Sequence, residues 1–454
     1  MTIGRKKGFS RVSDDAILKE CTGLVSALIS NRCVNDGTSD KVGEMASAEL
    51  LGAHLDGAGL RLEIVEPEPG RGSLIATLPG REGPAGGLTL MGHTDVVPAD
   101  EQYWSVPPFE GVDRDGAVWG RGAIDMLGMT ASMAVALRHL AVRGFRPRHD
   151  LTFCAVADEE AGGRLGAGWI ARHHPEHFRD RSVLTESGGF PLPTDQGTKL
   201  ECFVGEKGTL GCTVRIRGTA GHGAYPYRTD NVLMKLPEVL DRLRGYAPGP
   251  QLDALWLRYA EGMALPADWL AGLSAEDTFD ETLDRLPVGL ARHFHSVTRT
   301  TMTPTIVRAG GKKNVIPSTA EIHLDIRVFP GEDRQEVEAA FAGLFAGCAD
   351  VHLEFYGWRD GAVSSAETPL WSTLQDTVDE LMPGARMVPA LSSATTDGRW
   401  VRPFGAPCYG FGLFSTAIPA EEYFAMFHGV DERIDHESLL LLRALWIGVA
   451  ERMA

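Results

Sequence analysis

The sequence predicts an α/β protein built on a central sheet, with an α+β domain inserted into it. Three observations predict this. Short apolar runs alternate with longer amphipathic stretches through the first two hundred or so residues, the pattern of helices covering a central sheet. Near residue 206 the runs become apolar–polar alternations, which suit strands with one solvated face. From about residue 366 the first pattern returns.

In chain order, the first part of the catalytic domain takes residues 1–205: LRLEIVEP, SLIATLP and GLTLMGH read as strands, MTASMAVALRHLAVRG as a helix, and LTFCAVADEE and SVLTES as further strands. The inserted domain takes 206–360. Its GCTVRIRGTAG, STAEIHLDIRVFPG and DVHLEFYGW segments alternate like half-buried strands, and NVLMKLPEVLDRLRGY and DRQEVEAAFAGLFAG have helical spacing. The second part of the catalytic domain, 361–454, opens with the helical TPLWSTLQDTVDELM and closes with ESLLLLRALWIGVAERM. Residues 246–295, rich in Ala, Leu and Asp, show no readable period, and no internal repeat is visible. A chain of 454 residues exceeds one ordinary domain, so this division is expected.

Lys plus Arg number 44 and Asp plus Glu 61, a net charge of −17. So acidic a chain is not expected to bind nucleic acid or an anionic membrane, both of which need a basic surface. Behind Arg5, Lys6 and Lys7 there is no apolar stretch of the kind a secretory signal carries, and no run reaches membrane-spanning length. Seven cysteines, an odd number without any Cys-x-x-Cys, argue for reduced thiols in the cytoplasm and against a thiolate metal site. Any metal must then be held by histidines and carboxylates.

The stretch LTLMGHTDVVPAD delivers His93 and Asp95 to the end of an apolar run, with side chains on the same face of an extended chain. That is how a carboxylate buttresses a metal-bound imidazole; a buried histidine satisfied by an acid is the plain alternative. Four more segments repeat the idea. In WGRGAIDMLGM glycines bracket Asp125 in a tight turn, although an acid at a helix start has the same look. LTFCAVADEEAGG ends an apolar strand in Asp158, Glu159 and Glu160, an arrangement costly to bury without a cation unless it merely caps a helix. SVLTESGG runs a strand into Glu186, and FAMFHGVDERIDHESL places His428 before the last helix. His93, Asp125, Glu160, Glu186 and His428 together make the ligand set of a two-metal site, one acid bridging.

The segments GHTDVVP, WSVPPF, GRGAIDM, ADEEAGG, GTAGHGAYP, KKNVIPSTAEI, TTDGRW and HGVDE, in this order, resemble the di-zinc amidohydrolases that include aminoacylase, carboxypeptidase G, acetylornithine deacetylase and succinyl-diaminopimelate desuccinylase. The resemblance implies a mixed-sheet zinc-peptidase catalytic domain carrying an inserted α+β, ferredoxin-like lid and dimerisation domain. It implies two zinc ions, with cobalt or manganese as substitutes: His93 and Glu186 on one, Glu160 and His428 on the other, Asp125 on both. Glu159 falls on the general base and Asp95 on the acid that orients His93. His222 falls on the donor to the developing oxyanion, reaching the partner's site across a homodimer. Arg399 falls on a clamp for a substrate carboxylate, Asn314 on a polar residue lent to the substrate, and a cis peptide is implied between Asp125 and Met126. Leu127 stands where members often carry a basic residue, and Glu186, where some use aspartate, tilts the substrate toward small N-acylated amino acids. The activity implied is hydrolysis of an amide or peptide bond in a small substrate with a free carboxylate. An N-carbamoyl or ureide amidohydrolase, or an inactive member that binds peptides, are the alternatives.

Overall fold

The computed structural model describes residues 13–38 and 43–453. The chain divides into two units, Met1–Cys202 with Ser364–Val388 and Thr396–Ala454, and Phe203–Val363 with Pro389–Thr395.

The first unit is built on a mixed sheet. Its strands lie in the order Arg61–Val65, Ser73–Leu78, Leu151–Val156, Leu88–His93, Ser182–Thr185, Cys408–Gly410 and Gly197–Glu206. Leu88–His93 is parallel to both its neighbours, and Ser182–Thr185 is parallel to Cys408–Gly410, while the two outermost pairings on the Arg61 side are antiparallel. Every residue of Ser73–Leu78, Leu88–His93 and Leu151–Val156 is buried, as expected of strands covered on both faces. Met91, Cys154, Val156 and Val183 pack with Ile170 of the helix Ala167–His173. The helices Asp14–Ser30, Gly128–Val142 and His436–Met453 pack against one another and supply the other cover. Gly128–Val142 has almost no polar face, so it is a core helix rather than a surface one. Asp14–Ser30 starts where Ser13 accepts a hydrogen bond from the Ala16 amide, an N-cap contributing about 1 kcal/mol.

In the second unit four antiparallel strands lie in the order Thr301–Ala309, Thr319–Val328, Gly208–Arg217 and Val351–Arg359. Helices Leu236–Arg244 and Arg334–Leu344 bury Val239, Leu243, Val337 and Phe341 against them. The chain order, strand–helix–strand–strand–helix–strand, is the ferredoxin-like one. In Thr319–Val328 every second residue is buried, which is the alternation the sequence displays. Four helices of seven to ten residues, Ala254–Gly262, Ala267–Leu273, Glu276–Leu283 and Val288–Val297, occupy the stretch without a readable period. Buried Lys207 donates to the carbonyls of Ser296 and Arg299 and to the Thr301 hydroxyl at 2.8, 2.7 and 3.0 Å. Burial, then the Arg327 charge, pulls its ammonium down to about 7, against the charges of Glu332 and Asp325.

No described helix is long and apolar enough to cross a membrane. All seven cysteines are free.

Candidate two-metal site

The site gathers at the carboxyl ends of neighbouring parallel strands, where open α/β sheets keep their ligands. His93 is the last residue of Leu88–His93 and stands in register with Val156. Just beyond Val156 the chain bends through Asp158, whose φ of 70° is left-handed, and presents Glu159 and Glu160. Glu186 directly follows the strand Ser182–Thr185. Asp125 lies in a turn entered through Gly122 at φ 89°, where a Cβ would sit 2.5 Å from Val96 Cγ1, so only glycine fits. The Asp125–Met126 peptide is cis. His428 follows the helix Ala420–Met426 and is itself left-handed, at φ 55°.

Two triads share Asp125. His93 Nε2 lies 3.1 Å from Asp125 Oδ1 and 3.5 Å from Glu186 Oε2. His428 Nε2 lies 3.2 Å from Asp125 Oδ2 and 3.6 Å from Glu160 Oε2. Within each triad the potential ligand atoms lie within 4.8 Å of one another. The electrostatics show a pocket short of positive charge. Burial, then the Asp125 charge, pushes Glu160 up to about 9. Burial, then Glu186, drives Glu159 well above the carboxylate range, and burial raises Glu186 too. Burial works the same way on Asp125, but hydrogen bonds from His428 and His93 outweigh it and hold that acid low. Against the pull of burial, Asp125 and Glu186 raise His93 well above an ordinary imidazole.

Asp95 does more than face His93. The His93 Nδ1 contact is to the Asp95 carbonyl at 2.9 Å, with the carboxylate at 3.6 Å. That carboxylate instead accepts the amides of Glu159 and Glu160 at 3.2 and 3.1 Å and the Asn35 side-chain amide at 2.8 Å. It therefore fixes the acidic turn against the end of the His93 strand. Beneath the turn, Arg71 donates to Glu44 and to Asp158 Oδ1, at 2.7 and 2.8 Å, and the Leu165 amide takes Asp158 Oδ2. Arg399 Nη2 stands 3.9 Å from Glu159 Oε1, both side chains one-tenth exposed. His222 and Asn314 belong to the second unit. There a short two-stranded ribbon brings them together: His222 pairs with Val315, the Gly223 amide donates to the Asn314 carbonyl at 2.8 Å, and both side chains are exposed.

The sequence profile of peptidase family M20/M25/M40 matches residues 89–452, well over half of the chain. The chain belongs to this family. Human N-fatty-acyl-amino acid synthase/hydrolase PM20D1 is 28% identical over 80% of this chain and 73% of its own length. Aminoacylase-1 of Sus scrofa is 27% identical over 84% of this chain and 83% of its own. Among solved structures, the M20 family metallo-carboxypeptidase Sso-CP2 from Sulfolobus solfataricus matches the fold with a TM-score of 0.70 at 16% identity, covering 96% of this chain and 99% of that one. This M20 chain is accordingly a hydrolase of a metal-dependent family.

Its residues fit a pair of divalent cations. The donor set is all imidazole nitrogen and carboxylate oxygen, and Glu160 Oε1 is buried without a hydrogen-bond partner, as a ligand atom is. The M20 chain also has a support that sequence reasoning missed. Glu432, fully buried, accepts the amides of Gly122, Ile124 and Asp125 at 2.9, 2.8 and 3.0 Å and the Arg121 guanidinium at 2.8 Å. Arg121 in turn donates to the carbonyls of His428 and Gly429 at 3.2 and 2.9 Å. One ion pair thus ties the Asp125 turn to the His428 loop. The only sequence signal was the acid of HGVDE, which carries no hint of its partner.

Proposed function

We propose that the chain hydrolyses the amide bond of a small N-acyl amino acid, or of a dipeptide, that bears a free carboxylate. The observation that carries this is the pair of triads sharing Asp125, with Glu159 on the adjoining turn. His93 and Glu186 would hold one zinc ion and Glu160 and His428 the other, with Asp125 shared between the two groups. When bound, such a pair polarises an amide carbonyl and lowers the pKa of water toward neutrality. Glu159 accepts the water's proton and delivers it to the nitrogen of the departing amine. Arg399, beside Glu159, grips the substrate carboxylate with two hydrogen bonds.

His222 donates to the carbonyl oxygen as it gains charge, and Asn314, its neighbour on the ribbon, adds a polar contact to the substrate. Both act on the partner's site in a homodimer. The acyl group is apolar. Phe190, four residues after Glu186, stacks on Phe414 at 4.1 Å and meets Phe424 and Phe427, the residues leading to His428, edge-on. The names of the two curated relatives, both referring to acylated amino acids, support this substrate class. Seven free cysteines support a reducing, cytoplasmic setting.

The test follows release of free amine from zinc-loaded protein across N-acyl amino acids, dipeptides and N-carbamoyl amino acids. Turnover of the first two classes, abolished by chelation, is expected. Turnover of N-carbamoyl compounds alone, or of nothing, overturns the reading. Mixing His222→Ala chains with Glu159→Gln chains tests the dimer: random exchange should restore about a quarter of wild-type activity, and no recovery confines His222 to its own chain.

A further inference from the structure

We propose that His174, Glu176 and His177, with Glu63 on the cavity that Glu176 and His177 line, form a separate site for a borderline transition metal such as Zn²⁺ or Ni²⁺. The three side chains offer ligand atoms all within 4.8 Å of one another, and His174 Nδ1 is 3.5 Å from Glu176 Oε1. Two imidazoles and a carboxylate suit zinc and its neighbours, whereas calcium and magnesium prefer oxygen alone.

The backbone that presents these groups is fixed. Pro175 cannot continue the helix Ala167–His173 and opens the short turn Pro175–His177. The amides of Phe178 and Arg179 donate to the Pro175 carbonyl at 3.0 and 2.7 Å, and the Phe178 ring is fully buried. The Thr89 hydroxyl donates to the His177 carbonyl at 2.6 Å. The Trp169 ring lies 5.4 Å from that of His174, which limits the imidazole's freedom. The backbone that carries the three groups is therefore held before any ion arrives.

Glu63, on the strand Arg61–Val65, lines the same cavity as Glu176 and His177, and its charge is felt at the His177 ring. It would supply a fourth ligand, an oxygen. Arg61, the cation of that cavity, is turned to Asp150 at 3.2 Å, and Arg181 is committed to the carbonyls of Pro84, Leu88 and Asp150. The site is distinct from the candidate two-metal site. Thr89 and His93 stand four residues apart on one strand, so the two clusters lie at opposite ends of it, about 13 Å apart along the chain. A cation there clasps the turn to the strand Arg61–Val65 and stabilises the fold without touching the chemistry.

The experiment compares wild type with the double variant His174→Ala/His177→Ala, both equilibrated in buffered free Zn²⁺ and desalted. Wild type should keep one zinc equivalent more, with amide hydrolysis the same in both. With the two-metal site filled with zinc in both proteins, Ni²⁺ should raise the Tm of wild type more than that of the variant, since a site present only in the folded state shifts unfolding. Glu63→Gln should lose about tenfold in Ni²⁺ affinity, the lower end of what even an outer-shell partner contributes. Equal zinc counts, or an equal Tm response to Ni²⁺, overturn the proposal. Should the double variant not fold, His177→Gln replaces it with the same readouts. If neither protein hydrolyses an amide but the extra equivalent still separates them, the proposed function fails alone and this site stands.

Discussion

The two halves of the candidate centre are built by different means. His93 and Glu186 extend the ends of parallel strands, and their side chains are 1% and 9% exposed. His428, on a loop, is 56% exposed. The sheet itself places the inner half, whereas in the outer half the His428 loop is held to the Asp125 turn by one buried ion pair, Arg121 with Glu432. A ligand on a strand end shares the stability of the whole core; a ligand on a loop is only as firm as its local support.

The sharpest way to break this contrast is to delete each histidine. His93→Ala should strip both cations, since it removes the buried anchor beside the shared Asp125, and activity should fall to background. His428→Ala should cost one equivalent and leave the other. Elemental analysis of the two variants decides; His428→Ala protein without metal, or His93→Ala protein with one equivalent, refutes the ranking. Glu159 belongs to neither half. Glu159→Gln should lower kcat about 10²–10⁴-fold with metal content unchanged, and loss of metal would make it a ligand rather than a base.

Glu432→Gln tests the clamp. An amide offers one acceptor where the carboxylate offers two, so an N–H is turned against backbone donors and Arg121 is left half-paired. Affinity at the outer half should drop about 10–100-fold in a chelator competition while the inner half keeps its ion. Equal weakening of both halves would show that the clamp merely holds the fold.

Elsewhere the molecule adds a pH dependence that must be subtracted before the halves are compared. Lys207, in the second unit, has a folded pKa of about 7 against 10.5 for a free lysine. Between those values the unfolded chain binds more protons than the folded one, so stability rises with pH across that window and declines as pH falls toward 7. Denaturant unfolding should show this slope in wild type and lose it in Lys207→Met. An unchanged slope would assign it to other groups.

The inner half was legible because it follows one rule, a strand ending in a ligand; GLTLMGH and SVLTES both display it. Asp125 and His428 were legible only as members of a set of motifs, since a turn or loop leaves no periodicity. Asn35, Arg71, Arg121 and Glu432 were not legible as supports. Their roles arise from contacts such as Arg121 with Glu432, 311 residues apart, which no local pattern encodes. The covered central sheet was readable from its apolar strands. The four short helices between 254 and 297 were not, since seven to ten residues span too few turns to establish a period.

Asp125 gives one oxygen to each half, Oδ1 toward His93 and Oδ2 toward His428. Two cations held there would therefore be thermodynamically linked through a single carboxylate. Occupancy of one half draws charge from that carboxylate and repels the second ion, while it also orders the Asp125 turn that the second ion needs. Whatever factor the net of these effects gives, reciprocity makes it the same in either order of loading. A single titration of the inner half, done with the outer half full and again with it empty, thus measures the cooperativity of the whole centre.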